Sequence, residues 1–282
     1  MRRRPSSPNA GLNFERQGKG EPLLLLHGIG GELCVWEPLL GVLSERAEVI
    51  AVDLPGFGRS PALPAAVAPT PGAIAATVAR LLDELEIESA HIAGNSLGAW
   101  IGLELGKTPR ARSVTALCPA GLWGAPLLRE GASDRGRLQR IARRLRPLLP
   151  LLMLSRRARR LALAHVVADP DRVPRAAARR MVSSYARAPA YEATNTAMLA
   201  SHFTGADQIS VPLTVAFGER DGMVRPVRLP VPGARTLVLP SCGHIPMWDD
   251  PERVAQVVLE TSGLGTERRR PATTARAHRE NG

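Results

Sequence analysis

Between residues 11 and 263, short apolar runs alternate with longer stretches whose apolar positions recur every three or four residues. The short runs are Pro22 to His27, Glu48 to Asp53, Ala90 to Gly94, Ser113 to Cys118, Leu213 to Phe217 and Arg235 to Leu239. Continuous apolar runs are what strands covered on both faces require, so they predict a mostly parallel sheet flanked by helices, an α/β fold. The helical stretches are Trp36 to Glu45, Pro71 to Leu85, Leu97 to Gly106 and Pro251 to Thr261. Two of them begin at proline, whose fixed φ suits a first helical turn.

Residues 121–211 break this alternation. From Arg137 to Ala168, Leu, Ile and Val recur at helical spacing among arginines, interrupted by Pro147 and Pro150, and the β-rich pattern resumes at Val211-Pro212. The segment predicts a basic helical cap lying over the strand ends. It divides the core into residues 11–120 and 212–263. Residues 1–10 and 264–282 are rich in Arg, Pro, Ser, Thr and Gly, bury too little to offset the entropy of ordering, and read as disordered basic tails. No internal repeat is present.

The 282 residues are 44% hydrophobic, enough for one sizeable core. The net charge of +11 changes meaning once it is divided by region. Residues 1–20 carry +4, residues 264–282 carry +3 and the cap carries +10, while the rest of the core is acidic at −6. Nucleic acid is not expected as a partner, because the basic cap has only Trp123, Tyr185, Tyr191 and Phe203 to interleave with bases. The cap arginines fit a solvated helix face, a substrate with a carboxylate, or contact with an anionic membrane surface around Leu148 to Leu154; the membrane reading ranks last. No apolar segment follows the basic start Met1 to Arg4, and no run is long enough to span a bilayer. Cys34, Cys118 and Cys242 are scattered and odd in number, with no CxxC pair and no metal-like clustering with histidine along the chain. A cytoplasmic protein without a disulfide framework or a zinc site is expected.

Chemistry concentrates at Gly94-Asn95-Ser96-Leu97-Gly98, which follows an apolar strand and precedes a helix. That context lets a G-x-S-x-G turn present its serine as a nucleophile, with small residues relieving the crowding of a sharp strand-to-helix turn. A serine hydroxyl needs a base, and the base needs a group to orient it. His244 follows the strand Arg235 to Leu239 and Asp221 follows Leu213 to Phe217, so both fall at strand C-terminal ends, the edge where parallel sheets build their sites. Ser96 is therefore the candidate nucleophile, His244 its base and Asp221 the orienting carboxylate, with Glu219 in reserve. His91, His165, His202 and His278 follow no late strand. The run Leu23 to Leu26 leads into His27-Gly28-Ile29-Gly30-Gly31, a glycine-rich turn without a phosphate-binding pattern. The backbone N–H groups of Ile29 and Leu97 are the candidate oxyanion donors, and His27 is expected to brace the loop.

These stretches, with Asp53-Leu54-Pro55-Gly56-Phe57-Gly58-Arg59-Ser60 and Gly243-His244-Ile245-Pro246, together resemble the α/β-hydrolase superfamily over residues 12 to 262. The resemblance implies eight mostly parallel strands, a helical cap, no cofactor, and a structural turn at Asp53 to Ser60. Serine at the elbow departs from the dehalogenase and epoxide-hydrolase branches, which carry aspartate there. The elbow and Trp248 look like those of carbon–carbon hydrolases, but the Gly-Pro-Gly turn usual in that branch is Gly28-Ile29-Gly30-Gly31 here. Pro226, Pro230 and Pro232 interrupt Gly222 to Ala234, where the family places a helix that supports the acid. The leading expectation is hydrolysis of a carboxylic ester or related acyl bond in a small molecule through acyl-Ser96. The alternatives are carbon–carbon bond hydrolysis of a ring-cleavage product, and non-catalytic binding of a small molecule.

Overall fold

The computed structural model describes residues 10–127, 133–224 and 231–265. The expected tails fall almost wholly outside these residues, as do Pro226 and Pro230. In chain order the elements of the first half are β1 (Phe14–Gly18), β2 (Pro22–Leu26), α1 (Glu37–Ser44), β3 (Glu48–Val52), α2 (Pro71–Glu84), β4 (Ala90–Asn95), α3 (Leu97–Gly106) and β5 (Ala111–Leu117). Five helices follow, α4 (Ser133–Arg144), α5 (Leu149–Leu152), α6 (Arg156–Leu163), α7 (Arg175–Arg187) and α8 (Tyr191–Leu199). The chain then returns to the sheet through β6 (Leu213–Gly218) and β7 (Arg235–Leu239), and the last described element is α9 (Pro251–Ser262).

The strands form one sheet in the order β1-β3-β2-β4-β5-β6-β7, all parallel except β1, which runs antiparallel to β3. Seven strands are therefore present among the described residues, where the family resemblance implied eight. The strand not anticipated from the pattern is β1, because its sequence Phe-Glu-Arg-Gln-Gly is polar and it faces solvent at an edge. Its pairing to β3 alone closes that side of the sheet.

Strand periodicity explains the run of four leucines. Leu23 and Leu25 belong to a cluster with Leu39 and Leu43 of α1 and Val254 and Val257 of α9, while Leu24 and Leu26 face the opposite cluster with Ile74 and Val78 of α2 and Trp100 of α3. Both faces are thus covered, and each leucine of β2 is essentially inaccessible. The helices start where side chains satisfy their first amides: Thr70 Oγ1 accepts from Ala73 N at 3.2 Å, and Asp250 Oδ1 from Arg253 N at 3.0 Å.

The helices α4 to α8 pack on one another between β5 and β6. Leu163, Val167, Val173, Ala177, Ala178 and Met181 make a small core of their own, which closes on Trp248 from the loop after β7. Asp249, next to it, is buried and ties the two parts together. Its carboxylate accepts from Gly243 N (2.7 Å), Ala168 N (3.1 Å) and Asp169 N (3.1 Å), while Arg172 Nη1 donates to its carbonyl at 2.8 Å. Asp249→Ala is expected to leave three amides without their acceptor and to lower stability by roughly 3 kcal/mol. Chemical denaturation would measure it, with earlier proteolysis between α6 and α7.

Candidate active site

The elbow is built by close approach of backbone to backbone. A Cβ on Gly94 would lie 2.2 Å from the Gly98 carbonyl oxygen, and a Cβ on Gly98 would lie 2.2 Å from the Leu26 carbonyl oxygen and 2.6 Å from that of His27. Only glycine at both positions lets α3 start directly on top of β2 and β4. Ser96 between them is forced to φ 56° and ψ −113°, a conformation costly for a residue with a side chain. It is held there because Ser96 N donates to Leu117 O at 2.9 Å and Ser96 O accepts from Ala120 N at 3.2 Å and Trp100 N at 3.1 Å.

Asp221 and His244, both at the C-terminal end of the sheet, meet directly. The ring Nδ1 of His244 lies 2.8 Å from Asp221 Oδ2, and the two side chains are 5% and 0% exposed. Since a carboxylate only accepts, Nδ1 carries the proton of this bond, and in the neutral ring the lone pair falls on Nε2. The other oxygen, Asp221 Oδ1, accepts from Met223 N at 2.7 Å and Val224 N at 2.9 Å. The carboxylate is thus supported by its own turn, which needs no following helix. Glu219 is engaged elsewhere, accepting from Ser241 N at 2.7 Å.

Burial alone would raise the Asp221 carboxyl, but the hydrogen bond and charge of His244, together with the Val224 and Met223 amides, outweigh it and hold the group below the usual carboxylate value. A depressed folded value means that the stabilisation is complete above the unfolded pKa and is lost as pH falls through the folded one. Melting temperatures of the wild type and Asp221→Asn are expected to differ at neutral pH and to converge below about pH 4. A difference that persists unchanged into acid would show that the charge contributes nothing.

Ser96 is joined to this pair through its neighbour. Asn95 Nδ2 donates to His244 O at 2.8 Å and Leu117 O at 3.3 Å, tying the elbow to the histidine loop. Among the described residues Ser96 Oγ makes no hydrogen bond to His244 Nε2; such bonds commonly tighten only when substrate is bound. Both residues are buried, at 5% and 4% exposure. The glycine-rich loop also approaches Ser96: a Cβ on Gly28 would lie 3.1 Å from the Ser96 Cβ, and Gly31 N donates to Gly28 O at 3.0 Å to form a tight turn. Ile29 lies within that turn, and Leu97 is the first residue of α3, where amides have no intrahelical acceptor. One candidate oxyanion donor, Leu97, thus directly follows the serine, and the other, Ile29, follows a glycine packed against it.

His27 spans the base of this loop. Leu54 N donates to its Nε2 at 2.9 Å, which leaves Nδ1 to donate to Gly28 O at 2.7 Å. Burial pushes its pKa down, in keeping with a neutral bracing ring. Asp53 anchors the adjoining turn, accepting from Leu33 N (2.8 Å), Arg59 N (2.9 Å) and Asn13 Nδ2 (2.8 Å). His91 bonds Ser113 Oγ and Glu21 Oε2 at the other end of the sheet.

Two features were hidden in the linear sequence. Asn95 was only the variable letter of the elbow, and no local pattern signals its bond to a residue 149 positions away. Cys118, scattered in sequence, stands beside the Asp–His pair: its Sγ, an Asp221 oxygen and a His244 nitrogen lie within 4.8 Å of one another. Such a trio has the donors for a metal ion, but burial above all, and the Asp221 charge after it, push the thiol well up, and a metal needs the thiolate. The carboxylate is also already satisfied by His244 and two amides, so these residues do not fit a metal. A hollow between α1 and α9, lined by Pro38, Val42, Ala255 and Leu259, shares no residue with the triad.

The helical segment covers the oxyanion loop. Tyr185 of α7 and Tyr191 of α8 pack edge to face at 5.1 Å, and a Cβ on Gly30 would come within 2.6 Å of the Tyr185 ring.

A parallel sheet with a serine elbow at its centre and an Asp–His pair at its edge is the architecture of the alpha/beta hydrolases. Residues 23–257 match the model of the alpha/beta hydrolase family, and the chain belongs to that family. It is 34% identical over 206 residues to the Mycobacterium tuberculosis protein named epoxide hydrolase EphH, a match covering 64% of this chain and 89% of that one. A shorter stretch of 111 residues is 38% identical to the putative carbamate hydrolase RutD of Azorhizobium caulinodans, covering 38% of this chain and 40% of that one. The fold is similar to that of a thermophilic esterase from Thermogutta terrifontis, with a TM-score of 0.69, 24% identity, and 90% and 94% of the two chains covered. No helix among the described residues is long and apolar enough to cross a membrane.

Proposed function

We propose that this chain is a serine hydrolase that cleaves a carboxylic ester or related acyl bond in a small molecule. The observation that carries the reading is the strained Ser96, at φ 56°, tied through Asn95 Nδ2 to His244 O at 2.8 Å, with the His244 Nδ1 fixed by Asp221 at 2.8 Å. His244 Nε2 takes the Ser96 proton as Oγ attacks the acyl carbon, and the negative charge that develops on the carbonyl oxygen is received by the N–H groups of Ile29 and Leu97. Collapse expels the alcohol, which collects its proton from His244, and leaves acyl-Ser96. Water, deprotonated by the same ring, then releases the acid and restores the serine.

The identity of the nucleophile separates this chemistry from that in the name of the mycobacterial relative. A carboxylate that opens an epoxide forms an ester, which water can cleave; a serine oxygen would form an ether, which it cannot, and the enzyme would stop after one event. Epoxides are accordingly expected to give no turnover, whereas short p-nitrophenyl esters are hydrolysed and a fluorophosphonate labels Ser96. Release of p-nitrophenol and gel fluorescence measure the two. If the wild type neither labels nor hydrolyses any ester, the chain is instead a small-molecule-binding member of the family.

A further inference from the structure

Residues 137–161 contain nine arginines and no acidic residue, and apart from Arg they consist of Leu, Ile, Ala, Pro and Met with one Gln and one Ser. Their exposure is inverted. In a helix lying on a core the apolar stripe turns inward, yet in α4 and just past its end Leu138, Ile141 and Leu145, at intervals of three and four, are 54%, 44% and 39% exposed, while Gln139 is buried. The pattern continues through the next two helices. Leu149 and Met153 point inward, whereas Leu148, Leu151, Leu152 and Leu154 point out, and in α6 Leu163 is buried while Leu161 is 76% exposed. Eight of the eleven large apolar residues exposed on the described surface fall in this one stretch. Monomeric surfaces rarely gather them so.

The arginines surround these side chains and are largely uncommitted. Arg140 pairs with Glu192, and Arg156 and Arg160 with Asp171. Arg137, Arg143, Arg144, Arg146 and Arg157 are exposed and pair with no carboxylate among the described residues. Charge complementarity therefore calls for an anionic partner. Directional recognition by a protein would draw on aromatic and hydrogen-bonding side chains, and the face supplies none but arginine and Ser155. A bilayer asks for no direction: aliphatic side chains enter the acyl boundary while guanidinium groups reach back to phosphates.

We infer that the outer face of α4 to α6 docks onto anionic phospholipid membrane surfaces, with Leu138, Ile141, Leu148, Leu151 and Leu161 entering the headgroup boundary and the arginines between them pairing with lipid phosphate. The face is opposite in role to the covered side of the same helices, since α4 rests on α7 and α8, whose tyrosines cover the oxyanion loop. The docking does not depend on which bond Ser96 cleaves.

The test is sedimentation of the full chain with vesicles of phosphatidylcholine alone or mixed with phosphatidylglycerol, at low and high salt. Pelleting is expected only with the anionic vesicles, and weaker as salt rises. Three substitution sets separate the sources of binding, each checked by circular dichroism for an unchanged fold. Arg143→Gln with Arg144→Gln and Arg157→Gln is expected to weaken partitioning roughly 100-fold, and Leu151→Ser with Leu161→Ser about ten-fold. Replacing Arg268, Arg269 and Arg270 in the basic C-terminal stretch with Gln is expected to leave the cap-dependent binding in place. Absence of pelleting at low salt, binding indifferent to the cap substitutions, or binding lost only in the C-terminal set would each overturn the inference. So would retention on immobilised polyglutamate as tight as on vesicles and independent of the leucines, which would assign the face to an acidic protein.

Discussion

Ser96→Ala loses fluorophosphonate labelling altogether and drops ester turnover by roughly 10⁴-fold or more, while circular dichroism and the melting transition stay close to the wild type. The size of the loss follows from the nature of the step: without Oγ there is no acyl-enzyme, and His244 with the Ile29 and Leu97 amides can assist only the direct attack of water. His244→Ala is expected to cost about as much, because nucleophile and base act as one unit and their losses do not add. Substantial turnover by Ser96→Ala would place the nucleophile elsewhere and undo the proposed mechanism.

The second large effect is structural. Gly98→Ala introduces a Cβ 2.2 Å from the Leu26 carbonyl oxygen and 2.6 Å from that of His27, both fixed backbone atoms at the end of the central strand β2. Neither can yield as a side chain would, so α3 must lift off the sheet, at an expected cost of about 3 kcal/mol. Because Leu97 N and Ser96 move with the helix, kcat/KM should fall by roughly 100-fold in whatever fraction remains folded, as a displacement near 1 Å does. Denaturant titration and activity per folded molecule measure the two losses separately. An alanine variant with unchanged stability would mean that the approach of α3 to β2 is looser than the geometry shows.

Much of this arrangement was legible before any coordinates. The six central and late strands were readable because burial on both faces leaves no polar alternation: Leu23 to Leu26 serve two helical layers at once and so had to be continuously apolar. The helices α2 and α9 were marked by proline at their starts, and the positions of Asp221 and His244 by the ends of the strands that carry them. The polar edge strand β1 escaped because only Phe14 in it is apolar and the partner that makes it a strand, β3, lies more than thirty residues on. The tertiary partners of Asn95, Cys118 and Asp249 were illegible for a related reason. Each acts through backbone groups or side chains far away in sequence, and such contacts leave no local spacing to find. The cap's charge and helicity could be read from residues 121–211, but not which face of its helices turned outward, since periodicity gives a stripe and not its direction.

The distribution of the proposed triad over the sheet has a consequence for how the molecule fails. Ser96 stands in the turn after β4, in the middle, whereas Asp221 and His244 hang from the turns after β6 and β7, where the sheet ends. An outermost strand opens far more often than the interior does. Such an opening is expected to part His244 from the Asn95 tether while Ser96 stays locked in its elbow. Under gentle heating or mild denaturant, catalysis should therefore switch off reversibly while most of the helical signal is intact. Turnover would then report fraying at one margin of the molecule well before the whole gives way.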